Sequence, residues 1–195
     1  MKTRIFPHYD DIIILLGTGL RISELCGLTD ADIDLENRII DVNHQLLYCT
    51  GTGYYIDEPK TKSGFRRIKM TEEVYQAFRR IMDRRRFTKT VTIDGYSNFI
   101  FVTRSGNPKI GINYNSVFRG LVKKYNKDND NEVALPKVVT PHTLRHTFCT
   151  DKANEGMNPK ALQYIMGHSN ITMTLNYYAH AIGVYNKEAY SLKRW

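Results

Sequence analysis

Residues 140–168 read TPHTLRHTFCTDKANEGMNPKALQYIMGH, and this stretch holds two helix starts and two helix stops in succession. Thr140 stands before Pro141 as a capping hydroxyl stands before a proline at the first helical position, where the missing N–H costs nothing. Asn158 and Pro159 repeat the signal. Gly156 and Gly167 fall where helices commonly end in a left-handed residue. The stretch therefore predicts a helix from Pro141 that Gly156 ends, a second through KALQYIM, and His168 in the turn beyond it. A short third helix is expected through ITMTLNYYAH.

The same punctuation extends upstream. Ile12 to Leu16, followed by Gly17-Thr18-Gly19, reads as the end of a buried helix, a turn, and a second helix beginning near Arg21 to Glu24, so Arg21 sits at a junction. Thr71, Glu72 and Glu73 open a helical segment whose acidic residues come early and whose Arg84, Arg85 and Arg86 come late, as the helix dipole favours. Its basic end is expected to face solvent. Between Arg38 and Met70 the texture is β-rich: RIIDVNHQLLYC, a TGTG turn, YYIDEP and FRRIKM predict a small antiparallel meander with KTKSG at a hairpin tip. Phe99 to Val102 reads as one more short strand, INYNSVFRGLVKKY as a helix, and NKDNDNE as a surface loop. The fold class is mainly α with a small antiparallel β-sheet (α+β), in one domain without internal repeats.

Composition narrows the function. The chain has 195 residues, 42% of them apolar and 25% charged, with 13 glycines and 6 prolines, which excludes a disordered tail or a collagen-like scaffold. Cys26, Cys49 and Cys149 form no Cys-x-x-Cys pair, so neither a zinc knuckle nor a disulfide framework is indicated and a reducing compartment fits. The longest apolar run, Ile12 to Leu16, is too short to span a bilayer, and MKTRIFPHYDD lacks the apolar stretch of a signal peptide. The expected location is the bacterial cytoplasm, in association with the nucleoid. Lys and Arg number 28 against 20 Asp and Glu, a net charge of +8. A polyanionic partner follows, nucleic acid first; a solvated basic surface is the plain alternative.

His142 and Arg145 lie three apart in the first turn of a helix, where a guanidinium fork and free backbone N–H groups can hold a phosphate and an imidazole can move a proton. Alone, the pair reads more simply as a surface His and Arg on an amphipathic helix. Further phosphate-type ligands occur at Arg21 in GTGLRISEL, Lys62 in PKTKSG and His168 in MGHSN, and Tyr177-Tyr178 precede Ala179-His180. His142 and His146 have metal-ligand spacing but no obvious third ligand. Asp10 and Asp11, with Asp30, Asp32 and Asp34, could form an acidic group, although DADIDLE reads more simply as a turn and cap.

GTGLRISEL, KTKSG, HTLRHTF, MGHSNIT and NYYAH resemble, in that order, the motifs of the catalytic domain of the tyrosine recombinases, also called phage integrases, over Ile12 to His180. The likeness is closest to integrases of conjugative transposons. It implies metal-independent cleavage and rejoining of double-stranded DNA through a 3′-phosphotyrosyl intermediate, integrating or excising a mobile element, with no cofactor. By the resemblance Arg21 and Arg145 clamp the scissile phosphate. Lys62, with Lys60 as second choice, is the general acid for the leaving 5′-oxygen. His142 and His168 hydrogen-bond the phosphate or assist proton transfer, and Tyr178 is the nucleophile. Tyr177 stays open for that role because it fits the shorter spacing from the glycine-histidine turn seen in some branches of the family.

Two arginines and two histidines could stabilise a phosphorane-like transition state where other nucleases use metal ions, and a covalent tyrosyl phosphate stores the energy for rejoining without ATP. Residues 1–180 are expected to be the catalytic domain, with N-terminal DNA-binding domains absent from this chain. Residues 181–195 form a tail that docks on a neighbouring subunit or packs within its own. The implied assembly is a homo-oligomer on DNA, a tetrameric synapse, with accessory DNA-bending proteins. Type IB topoisomerase-like relaxation and a non-catalytic DNA-binding regulator are the competing functions.

Overall fold

The computed structural model describes residues 8–59, 61–85, 91–127 and 133–179. The described residues include seven helices: α1 (Tyr9–Thr18), α2 (Ile22–Gly27), α3 (Glu72–Arg84), α4 (Gly111–Lys127), α5 (Pro141–Asn154), α6 (Pro159–Met166) and α7 over 171–179. Five short strands, β1 (Ile33–Asp34), β2 (Ile39–Val42), β3 (Gln45–Cys49), β4 (Gly53–Asp57) and β5 (Arg66–Lys69), lie between α2 and α3.

The helix ends fall where short-range chemistry puts them. Thr140 Oγ1 accepts from the Thr143 amide at the start of α5, and Asn158 Oδ1 accepts from the Lys160 and Ala161 amides at the start of α6. Thr71 caps α3 through the Val74 amide. DADIDLE begins as the turn and cap expected, a 3-10 turn over Asp30–Asp32 in which Asp32 Oδ2 accepts from the Thr29 amide at 2.7 Å, and then runs into strand β1.

The strands depart from a simple meander. β2 pairs antiparallel with β5, Ile40 opposite Ile68, and with β1, while β3 and β4 form a separate hairpin with Leu46 opposite Ile56. KTKSG is therefore no hairpin tip. It lies in the connection between β4 and β5, which belong to different sheets, and Lys62–Gly64 forms a 3-10 turn there. Phe99 to Val102 makes only isolated bridges, Thr29 to Phe99 and Val102 to Pro108, although Phe99, Ile100 and Phe101 are buried. The basic end of α3 is not simply solvated: Arg80 and Arg84 both bind the buried carboxylate of Asp10, and Arg85 binds Asp30. Asp11 is spent on Lys109 at 2.7 Å and Tyr114 at 3.0 Å. NKDNDNE is in part the end of α4, and its remainder, like the 181–195 tail, lies outside the described residues.

Two apolar clusters hold the elements. The larger joins α1, α2, the three-stranded sheet, α3 and α4 around Leu15, Leu25, Ile40, Phe78, Phe101 and Tyr114. The smaller, Phe148, Cys149, Ala153, Leu162 and Met166, joins α5 and α6 and supports α7. Gly19 is where they meet. Its φ is +65°, and an added Cβ would stand 2.5 Å from Phe148 Cδ1 and 3.0 Å from Met166 Sδ. Only glycine lets the α1 terminus approach α5 and α6 this closely.

Candidate active site

The site is built on the C-terminus of α6. A helix leaves its last carbonyls without partners and carries partial negative charge there, so cations gather at that end. Three arginines from three elements take those carbonyls. Arg66 Nε donates to Ile165 O at 2.6 Å, Arg145 donates to Met166 O, and Arg21 donates to Gly167 O at 3.2 Å. Arg145 also donates to Gly19 O, which ties α5 to the end of α1.

Glu24 is the single carboxylate among them. Arg66 grips it bidentately at 3.0 and 2.8 Å, Arg21 binds it at 2.7 Å, and it accepts the Arg21 backbone amide at 2.8 Å as the far half of a capping box. Burial pushes its carboxyl up, but the Arg66 and Arg21 guanidiniums outweigh that and hold it down at about 2. Three guanidiniums against one carboxylate leave two positive charges uncompensated. Arg145 registers the excess: burial and then the nearby Arg21 charge lower it to about 10. Beside the cluster lies a cavity of about 170 Å3 bordered by Arg21, Glu24, Gln45, Thr61, Gly64 and Gly167. Arg21 is the guanidinium that borders it, with Arg66 and Arg145 standing behind at the α6 terminus.

His168 follows α6 directly, buried, with Nδ1 3.0 Å from Thr174 Oγ1. Burial and the charges of Arg145, Arg21 and Arg66 lower it to about 4, so it is neutral at pH 7 and can donate one hydrogen bond without adding charge. Lys62 stands exposed on its 3-10 turn, which packs against α6: Ser63 O lies 3.2 Å from where a Cβ on Gly167 would stand. Lys62 thus stands on a 3-10 turn and not on a strand, and Lys60, the second choice for the general acid, lies outside the described residues.

His142 and Arg145 do not aim at one volume. Arg145 turns inward to the α6 terminus, whereas His142 is exposed and its Nε2 stands 2.7 Å from His146 Nε2. The tyrosines also separate. Consecutive residues of a helix point about 100° apart, so α7 sends the two rings different ways. The Tyr177 hydroxyl meets His146 Nδ1 at 2.7 Å, and burial and the nearby Cys149 raise it above its ordinary value, with the Arg145 charge offsetting only part of the rise. The Tyr178 hydroxyl donates to Met157 O in the α5–α6 connection, its ring against the smaller apolar cluster. The structure therefore gathers Arg21, Arg145 and His168 at the end of α6, sets the Tyr177 hydroxyl on His146, next to Arg145 in α5, and ties the Tyr178 hydroxyl to the α5–α6 connection.

Arg66, Glu24 and His146 complete the site and were not singled out as its members from sequence. Arg66 had a signal, since it shares a strand face with buried Ile68. Among the described residues no set of three His, Cys, Asp or Glu side chains is placed to hold a metal ion, and no helix is long and apolar enough to cross a membrane.

The phage integrase family model matches residues 2–182. The chain belongs to the phage integrase family. Among curated relatives, the transposase from transposon Tn916 of Enterococcus faecalis is 62% identical over 174 residues, 89% of this chain and 42% of that protein. Tyrosine recombinase XerC of Chlorobaculum tepidum is 31% identical over 180 residues, 91% of this chain and 46% of that protein. The chain thus spans less than half the length of either relative. Among solved structures, the Tn1549 transposon integrase in complex with transposon right end DNA superposes with a TM-score of 0.84 at 63% identity, covering 96% of this chain and 58% of that one. XerA recombinase gives 0.67 at 28% identity, with the same coverages. The resemblance to transposon integrases read from five motifs is thus carried by whole-domain similarity, and this phage integrase family member has the catalytic-domain fold.

Proposed function

We propose that this domain cleaves and rejoins double-stranded DNA through a tyrosyl phosphate, as the recombinase of a mobile element. The observation that carries the reading is the cluster of Arg21, Arg66 and Arg145 at the α6 terminus, with the Tyr177 hydroxyl held by His146, the residue that follows Arg145 in α5. Its excess positive charge suits the nonbridging oxygens of a pentacoordinate phosphorus, which gain negative charge in the transition state. Arg21 and Arg145 serve as the phosphate clamp. Arg66 acts behind them, holding Glu24 and the α6 terminus in place. His168, neutral and buried, donates to a phosphate oxygen, and His142 borders the site. Lys62 supplies the proton to the leaving 5′-oxygen; its turn is the exposed rim of the cavity. Tyr177 is the nucleophile in preference to Tyr178, whose hydroxyl is committed to Met157 O. DNA as partner is supported by the DNA-bound Tn1549 integrase, and assembly into a multimeric synapse on DNA belongs to the same reading.

The test is covalent trapping on nicked suicide duplexes carrying the ends of the element that encodes the protein, in EDTA. The unsubstituted protein and Tyr178→Phe should form the adduct, and Tyr177→Phe should form none. Loss in Tyr178→Phe alone would return the nucleophile to Tyr178. No adduct with any protein would refute strand transfer and favour a DNA-binding role without chemistry.

A further inference from the structure

A phenol at neutral pH is a poor nucleophile until something takes its proton, and the arginine cluster has no spare base to do so. Glu24, its one carboxylate, is locked between Arg66 and Arg21. The group within reach of the Tyr177 oxygen is His146, one turn beyond His142 on α5. We propose that His146 takes the proton of the Tyr177 hydroxyl and hands it to His142, a two-imidazole relay from the nucleophile toward solvent. The proposal rests on the strand-transfer reading with Tyr177 as nucleophile.

The contacts define the path. Tyr177 Oη lies 2.7 Å from His146 Nδ1, and His146 Nε2 lies 2.7 Å from His142 Nε2, so one ring uses both its nitrogens in series. The rings lie within range of one another, with centroids 5.4 Å apart for Tyr177 and His146 and 4.3 Å for His146 and His142. Two proton placements satisfy both contacts. In one, the phenol donates to Nδ1 of His146, whose Nε2–H donates to Nε2 of a neutral His142. In the other, His142 carries protons on both nitrogens and donates to His146 Nε2, whose Nδ1–H donates to the tyrosyl oxygen. These are the states before and after transfer.

In the forward step the Tyr177 oxygen bonds to phosphorus and its proton goes to His146 Nδ1. The Nε2 proton of His146 moves to His142, and the P–O5′ bond breaks with its electron pair on the leaving oxygen, which Lys62 protonates. Rejoining runs the same steps backward.

The electrostatics give the relay its direction. His146 is faced by His142 and Arg145 on its own helix, Tyr177 on α7 and His168 beyond α6. Burial, His142 and the Arg145 charge hold its basicity below the ordinary value, which keeps it neutral and open to a proton at pH 7. The same Arg145 charge makes a lasting imidazolium at His146 unfavourable. His146 and His142 are both exposed, and the charge handed to His142, one turn away, passes to water.

The decisive variant is His146→Asn, whose amide oxygen can accept the Tyr177 hydrogen bond near the Nδ1 position but cannot take the proton. Single-turnover adduct formation on the nicked duplex is measured from about pH 6 to 10, with thermal unfolding to check the fold. The unsubstituted protein should reach a plateau once its histidines are neutral. His146→Asn should be about a hundredfold slower at pH 7 and keep gaining rate toward pH 10. Placing 3,5-difluorotyrosine, a more acidic phenol, at position 177 should restore much of the loss. His142→Asn should slow the reaction less and keep the plateau. If His146→Asn reacts within about twofold of the unsubstituted protein with the same pH profile, the relay is refuted while a dead Tyr177→Phe keeps the nucleophile. A slow His146→Asn that the fluorinated tyrosine does not rescue also refutes it, as a structural effect. A Tyr177→Phe protein that still forms adduct refutes the nucleophile and the relay together.

Discussion

Replacing Glu24 by Gln tests whether the arginine cluster is held by one ionised carboxylate. In the fold Glu24 titrates at about 2 against an ordinary 4.5, and its side chain is 7% exposed while that of Arg66 is 0% exposed. At about 1.4 kcal/mol for each factor of ten, the difference is worth about 3 kcal/mol of stability with the carboxylate ionised. The sign follows from the lowered value. The contribution is fully present above pH 4.5, because both folded and unfolded chains are then ionised, and it is lost as pH falls toward about 2. Glu24→Gln removes the charge without changing the shape and leaves Arg66 buried with an amide in place of its counter-ion, so about 3 kcal/mol should be missing at pH 7. Denaturant unfolding of both proteins at pH 7, 5, 4 and 3 provides the assay. The two stabilities should differ most at pH 7 and 5 and converge toward pH 3, since Asp10, Asp11 and every other carboxylate titrate in both proteins and cancel. A Gln variant within about 0.5 kcal/mol of the parent at pH 7, or a gap that does not narrow with acid, would refute the assignment of that stability to Glu24.

Gly19→Ala should cost at least about 2 kcal/mol in thermal unfolding, because φ +65° is strained for alanine and its Cβ would strike Phe148; a shift under about 1 kcal/mol would mean the α1 terminus moves freely. Tyr178→Phe should lose about 1 kcal/mol of stability, the worth of its hydrogen bond to Met157 O, and still form the covalent adduct. DNA binding should weaken with salt at a log-log slope near minus five for about six phosphate contacts, and Arg21→Ala should make that slope shallower by about one; an unchanged slope would remove Arg21 from the phosphate.

The comparison of sequence with structure divides along range of interaction. Starts at Thr140-Pro141 and Asn158-Pro159, stops at Gly156 and Gly167, and the junction at Arg21 were legible because each signal acts over four residues or fewer. The order of five motifs was legible for a different reason: chemistry restricts residue type at a site even when its neighbours vary. Other features were decided only when distant segments met. FRRIKM could have paired with YYIDEP beside it, but Ile68 found Ile40, and that choice moved KTKSG from a hairpin tip to a crossing turn. Arg66 is an ordinary strand residue until Glu24 and the end of α6 close around it.

The tyrosines make the division plainest. Side by side in sequence, Tyr177 and Tyr178 differ only in the direction each takes from α7, and that direction depends on how the helix is rotated about its axis. Sequence alone determined that a set of arginines and histidines and a pair of tyrosines, ordered as in the phage integrase family, stands on a mainly helical domain. Tertiary structure decided which tyrosine faces that set, because the Met157 carbonyl on one side and the His146 ring on the other set the rotation.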